Sequence, residues 1–389
     1  MLSAATTLTL TRVEENANLV CQIRPSKQHF PVLDGLRGIA VLGVVLTHYT
    51  ISNSGPPFGN GPLEFGWAGV DLFFVLYGFL ITGILLDQKE SPNYFRNFYA
   101  RRVLRIFPLY YGILALGFSL KALHLRPVLS FDHCSAFWYL FFAYNLFISA
   151  ERRFPQGTLC PVWSLAIEEQ FYFFWPYLIS KFTRQQLVWT CATLMALALG
   201  LRICFYFEGA SIANYYFTFT RADTLAAGAI VAILFRSSFT RRNLNFWSKV
   251  TFLGSVLILV LVMVKEGGVD WLQPLLNTIG LTIVALMFAS LVLMSLTTES
   301  ASRWQRLLES GLLRTFGRYS YAIYLFHFPM LACLSHPVVR ILREAIKYPW
   351  PVFLIGYSVI SGVALVAAMI SYRYFESFFL RQKIRFQQI

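Results

Sequence analysis

LDGLRGIAVLGVVLTHY, residues 33–49, opens an apolar helix of membrane-spanning length and sets an arginine and a histidine on one of its faces. Eleven positions separate Arg37 from His48. That is close to three helical turns, so the imidazole lies about 16 Å further along the axis than the guanidinium, on the same side. In a helix that crosses a bilayer, Arg37 is then near one surface and His48 deep inside. An ionisable group at that depth is expensive unless it faces a protein interior or a wet cavity, which makes His48 a functional-site candidate. The plainer reading is a histidine that hydrogen-bonds a neighbouring helix.

The rest of the chain fits a membrane setting. Of its 389 residues, 57% are hydrophobic and 13% charged, against about 25% charged in soluble domains. The expected fold is an all-α polytopic integral membrane protein with about ten transmembrane helices and no separate globular domain. The apolar segments run from 33 to 52, 68 to 86, 106 to 123, 167 to 182, 187 to 206, 219 to 235, 248 to 264, 274 to 296, 319 to 334 and 351 to 372. The formal charge of +14 does not point to nucleic acid. The basic residues cluster in alternate connections, the positive-inside pattern, which places both termini in the cytoplasm.

Residues 1–30 contain no uninterrupted apolar core of signal-peptide type and read as a cytoplasmic tail. The membrane domain follows at 31–375, with a cytoplasmic C-terminal tail at 376–389. One stretch, AFWYLFFAYNLFI from Ala136 to Ile148, is apolar over only 13 residues. It suits a re-entrant or interfacial piece on the outer side, and counting it as a span would invert the charge asymmetry downstream. The cysteines show no metal-ligand spacing, so no metal is expected. Cys134 and Cys160 bracket the short segment, and a disulfide between them is left open.

Polar groups within the spans are few: His48, Asp71, Glu168 beside Glu169, Arg221, Asp223 and His327. Asp71, Glu168, Arg221 and Asp223 fall in the same half as His48, which favours one shared polar cavity. His327 is flanked by aromatics and reads equally well as a core histidine bonded to a carbonyl. At the opposite surface, FYARRVLRIFPLYY (98–111) sets Arg102 and Arg105 one turn apart on one face. Guanidinium groups so arranged can hold a phosphate or diphosphate. Positive-inside anchoring alone would also place arginines there.

Six segments in order resemble the signatures of the acyltransferase-3 membrane family: 30–49, GVDLFFVLYGFLIT (69–82), 98–111, WSLAIEEQFYFFWP (163–176), TRADTLAAG (220–228) and FGRYSYAIYLFHFPM (316–330). The resemblance implies transfer of an acyl group, usually acetyl, from cytoplasmic acyl-CoA to a hydroxyl of a glycan or glycosylated small molecule. Acyl-CoA is then a co-substrate and no cofactor is permanently bound. Arg37, Arg102 and Arg105 are implied to hold the CoA phosphates. The family's Arg-x10-His and Glu-x-Gln-Phe-Tyr motifs put His48 and Glu168 at the chemistry. His48 acts as general base with Glu168 orienting it, or itself accepts the acyl group. Where many members carry serine, this chain has Tyr77, which would narrow the tunnel.

Ser164, Gln170 and Tyr172 are unranked candidates for the oxyanion donor. Asp34, Asp71, Trp163, Arg221, Asp223 and His327 are expected to shape the site or contact substrate. Trp138, Tyr139, Tyr144 and Trp163 could stack on sugar rings or serve as interfacial aromatics. The expected location is a bacterial inner membrane, with the lipid bilayer and a glycan acceptor as partners and the oligomeric state open. A rival from another class is a transporter or proton pathway, since intramembrane His, Asp and Arg also mark such routes. No matching pair of broken helices supports it.

Overall fold

The protein is an all-α polytopic membrane protein. Its computed structural model describes residues 29–52, 61–124, 129–299 and 302–386, and no strand occurs among them. The expected N-terminal tail lies, but for its last two residues, outside the described residues.

Helix α1 (Pro31–Ser52) starts on a proline, whose fixed φ suits a first helical position, with Asp34 in the first turn facing the positive end of the helix dipole. A 3-10 turn (Pro62–Ala68) leads into α2 (Gly69–Asp87), followed by α3 (Tyr94–Ala122). Two short helices, α4 (Ala136–Leu140) and α5 (Tyr144–Glu151), precede α6 (Trp163–Lys181) and α7 (Arg184–Phe207). The start of α7 is fixed by a capping box between Thr183 and Gln186. Then come α8 (Ser211–Tyr216), α9 (Ala222–Phe235), α10 (Arg241–Glu266) and α11 (Leu281–Thr297). The chain closes with α12 (Arg303–Leu308), α13 (Gly311–Arg318), α14 (Ser320–Ala345), α15 (Pro349–Ser371) and α16 (Ser377–Arg381).

Among the described residues, eight helices are long and apolar enough to cross a membrane. The two remaining expected spans are also helical: α6 has 19 residues but carries Glu168, Glu169 and Lys181, and α9 has 14. Contacts between connections sort the helix ends into two groups. At one end Lys89 donates to the Phe182 carbonyl (2.7 Å), Arg236 pairs with Asp87 (2.7 Å), and Arg184 and Arg241 donate to the carbonyls of Arg236 and Leu296. At the other, Trp67 donates to the Val269 carbonyl (2.8 Å), Arg152 pairs with Glu208 (2.9 Å), and Asn277 donates to the Ser211 carbonyl. Because these connections alternate along the chain, successive helices run antiparallel between the same two ends.

The central helix is α2, most of whose residues are buried, whereas α10 turns most of its surface outward. Helix α2 crosses α9 at glycines on both sides: a Cβ on Gly78 would stand 2.1 Å from the Leu225 carbonyl oxygen, and one on Gly228 the same distance from that of Val75. Glycine at both positions is what lets the backbones touch. A second close approach, Gly38 against Leu313, holds the α13–α14 corner on α1.

The short apolar segment does not form a continuous helix. It breaks at Phe141–Ala143 between α4 and α5, with Phe142 at φ 51°. Asp132 ties this region down. It accepts from the Tyr144 hydroxyl (2.8 Å), from Arg153 (2.8 Å) and from the N–H groups of His133 and Gln156. Burial raises the Asp132 carboxyl, but these donors outweigh it and hold the group below the ordinary carboxylate range. Tyr139 and Tyr144 are buried and stacked on one another at 4.5 Å, so neither is open to a sugar ring. Cys134 and Cys160 are both free thiols, and burial pushes them up to about 11 and about 12.

The last helix does not stop at the expected tail boundary. From α15 it passes through a π turn (Tyr372–Glu376), α16 and a 3-10 turn (Gln382–Phe386), antiparallel to α3. Phe375 packs on Gly112 near the middle of α3, and Arg96 lies over the Phe386 ring (5.8 Å) near its start.

Candidate functional site

At the end of the molecule where α1 begins, a cavity of about 320 Å³ is lined by Arg37, Arg101, Arg102, Arg105 and Lys383, with Tyr77, Leu80, Ile84 and Phe98 as its apolar wall. Helix α3 supplies three of the cations from one turn, α1 supplies Arg37, and the C-terminal segment supplies Lys383. Arg101 is fixed by the Asn97 carbonyl and by Gln88. Arg102 lies against the rings of Phe98 (5.8 Å) and Tyr172 (5.7 Å), and Arg37 over Tyr77 (5.6 Å). Arg37 reaches Asp34 only at 4.0 Å, and its buried Nε has no hydrogen-bond partner among the described residues. Five cations round one cavity repel one another, and the field they sum to attracts a multiply charged anion. Arg37, Arg102 and Arg105 were expected to act together. Lys383 was assigned to a tail, and only the unbroken helix brings it here.

Further along α1, His48 meets His327. His48 Nδ1 and His327 Nε2 are 3.1 Å apart, and His327 Nδ1 is 2.7 Å from the Tyr324 carbonyl oxygen. A carbonyl only accepts, so His327 Nδ1 carries its proton, and in the neutral ring Nε2 is then an acceptor. His48 Nδ1 must therefore be the donor, which leaves the lone pair on His48 Nε2. The pair thus sets the His48 proton on Nδ1 and leaves the lone pair on Nε2. The expected orienting group was Glu168. The side chain hydrogen-bonded to His48 is that of His327, which the close approach at Gly38 brings in with α13–α14 against α1.

Glu168 stands between the two features. With Phe73, Tyr77, Ser164, Leu165, Ser320, Tyr321 and Tyr324 it walls a second, small cavity of about 20 Å³. The Ser164 hydroxyl is 2.8 Å from that of Tyr324, which also donates to the Pro161 carbonyl. Tyr77 lines both cavities. The oxyanion candidates separate here. Gln170 is engaged by the Phe142 carbonyl, Asn145 and Thr218, and Ser164, at the small cavity, donates its hydroxyl proton to Tyr324, whose own goes to the Pro161 carbonyl.

The remaining polar residues form a third neighbourhood, which corrects the expectation of one shared polar cavity. Arg221 pairs with Asp71 (2.7 Å) and Arg202 with Asp223 (2.6 Å), all four side chains fully buried. Thr282 donates to Asp223, and Arg221 also lies over the Tyr215 ring at 4.7 Å. Among the described residues no hydrogen bond or ion pair joins this network to His48. Its charges match one to one, so Asp71, Arg221 and Asp223 brace α2, α7 and α9. Trp163 is likewise packed in, against Tyr215 and Tyr216. Arg202 is the brace that the sequence reading missed. It sits in the apolar run ALALGLRICF, where a lone arginine signals a buried carboxylate partner.

A membrane-embedded helical core thus carries a cavity lined by arginines and a lysine at one end and a hydrogen-bonded histidine pair further in. The chain belongs to the acyltransferase-3 family, whose model, described as an acyltransferase domain, matches residues 30–372. Peptidoglycan O-acetyltransferase OatA of Listeria monocytogenes is 30% identical over 344 residues, covering 83% of this chain and 52% of that protein. O-acetyltransferase OatA of Staphylococcus aureus is 26% identical over 373 residues, covering 90% of this chain and 57% of that protein. The chain thus spans little more than half the length of these relatives. No solved structure matches it.

Proposed function

We propose that this protein is a membrane O-acetyltransferase that moves an acetyl group from acetyl-CoA to a hydroxyl of a cell-wall glycan, in a bacterial inner membrane with the basic cavity facing the cytoplasm. The observation that carries the donor assignment is a match of lengths. Arg37, on the wall of the basic cavity, and His48 lie about 16 Å apart along α1. The pantetheine arm, a chain of about a dozen bonds, reaches about 14 Å when extended at three bonds per 3.6 Å. A donor whose phosphates lie among Arg37, Arg102, Arg105 and Lys383 therefore presents its thioester near the histidine pair.

His48 Nε2 takes the proton of the acceptor hydroxyl as its oxygen attacks the thioester carbonyl. The imidazolium that forms is held by its Nδ1–H bond to His327. That attack forms the C–O bond, and collapse of the tetrahedral intermediate restores the carbonyl and breaks the C–S bond. The CoA thiolate leaves with the proton returned from His48. Two members of the same family named for O-acetyl transfer, one of them to peptidoglycan, support the acceptor class.

Purified protein in lipid vesicles, given acetyl-CoA and peptidoglycan fragments, tests the reading. Glycan-dependent thiol release with an acetylated product is the expected result. Absence of both, with correctly folded protein, would overturn it.

A further inference from the structure

Tyr77 is the residue shared by the walls of the basic cavity and of the small cavity beside it. It faces Arg37, Arg102 and Arg105 on one side and Glu168, Ser164 and Tyr324 on the other. Its ring stacks on Phe73 at 6.0 Å and meets the Tyr172 ring edge-on at 6.4 Å. The small cavity has about 20 Å³, room for little more than one water-sized group. Its other tyrosine walls are pinned: the Tyr321 hydroxyl donates to the Ile106 carbonyl (2.7 Å), and the Tyr324 hydroxyl to that of Pro161. Among the described residues no hydrogen bond holds the Tyr77 hydroxyl. Tyr77 is thus the wall that can swing to pass the pantetheine arm, while the pinned walls fix how much can lie beyond it.

We propose that Tyr77, backed by Phe73, sets the length of the acyl group this protein transfers, admitting acetyl and excluding chains of four carbons or more. The inference rests on the acyl-CoA reading of the basic cavity. With the pantetheine arm running past the Tyr77 ring, the methyl of an acetyl thioester is about all that the space beyond accepts. A longer chain must displace a pinned wall, and each methylene forced into or denied a closed pocket discriminates by roughly ten- to two-hundred-fold.

The test uses the full chain in vesicles, as wild type, Tyr77→Phe, Tyr77→Val and Tyr77→Ala. Two readouts are taken: displacement of labelled CoA by unlabelled CoA, and kcat/KM for thiol release from acetyl-, butyryl- and hexanoyl-CoA with one glycan acceptor. Wild type and Tyr77→Phe should prefer acetyl- to butyryl-CoA by at least a hundredfold, and Tyr77→Val or Tyr77→Ala should cut that ratio by tenfold or more. An unchanged ratio in the small variants would overturn the length gate. Wild type that uses butyryl- and hexanoyl-CoA as well as acetyl-CoA would overturn it without any variant, whatever their folding. Wild type that binds no CoA would instead overturn the donor reading on which the gate rests.

Discussion

Two groups of arginines lie inside this bundle, and they differ in what faces them. Arg202 and Arg221 each meet a carboxylate, Asp223 and Asp71, with no side chain exposed. Arg37, Arg101, Arg102 and Arg105 meet one another across an open cavity. In the first group each charge is neutralised where it stands, so the arginine is part of the packing. In the second the charge is left for something that arrives. Burial of an arginine therefore does not by itself identify a ligand site.

The comparison is broken most severely by unmatching the matched pair. Asp223→Ala leaves Arg202 buried without its partner, and removing one member of such a pair costs about 3–5 kcal/mol. The variant should lose most of its folded yield in detergent, measured by size-exclusion profile and melting temperature. A melting temperature within a degree or two of wild type would show that the network is not structural. The smaller step is to thin the unmatched group. Arg102→Ala or Arg105→Ala should weaken CoA binding by about 1.5–3 kcal/mol, the worth of a charge-assisted contact, while the melting temperature without CoA stays near that of wild type or rises as mutual repulsion falls. Lys383→Ala should act in the same direction by less. Unchanged CoA affinity in all three would make these residues topological anchors.

The smallest effect belongs to a pair between the two extremes, Asp132 with the partly exposed Arg153. The Asp132 carboxyl is held below its ordinary value. Its contribution is therefore complete above the unfolded value of about 3.9 and is lost as pH falls through the lower folded value. Protease resistance of the 129–162 region should be flat from pH 7 to about 4.5 and decline below about 3.5, and Asp132→Asn should flatten that decline. A decline centred near neutral pH would assign it to another group.

Much of this was legible before any coordinates. Apolar length gave the helices, because a bilayer demands it, and helical periodicity put Arg37 and His48 on one face and Arg102 near Arg105. Pairing was not legible. His327 lies 279 positions from His48 and Arg221 lies 150 from Asp71, and which helix faces which is decided by close approaches at Gly38, Gly78 and Gly228 that hydropathy does not carry. The same gap hid Lys383, since a basic residue past the last apolar run reads as tail until the helix is seen to continue along α3.

The central claim is that CoA binding and base catalysis sit at opposite ends of α1 on separate residues. His48→Ala tests it most directly, with CoA affinity and acetyl transfer measured on the same preparation. The account predicts CoA affinity within about twofold of wild type and a loss of transfer of at least a hundredfold, the usual span of a general base being about 10²–10⁴. Transfer at near wild-type rate by folded His48→Ala protein would contradict it.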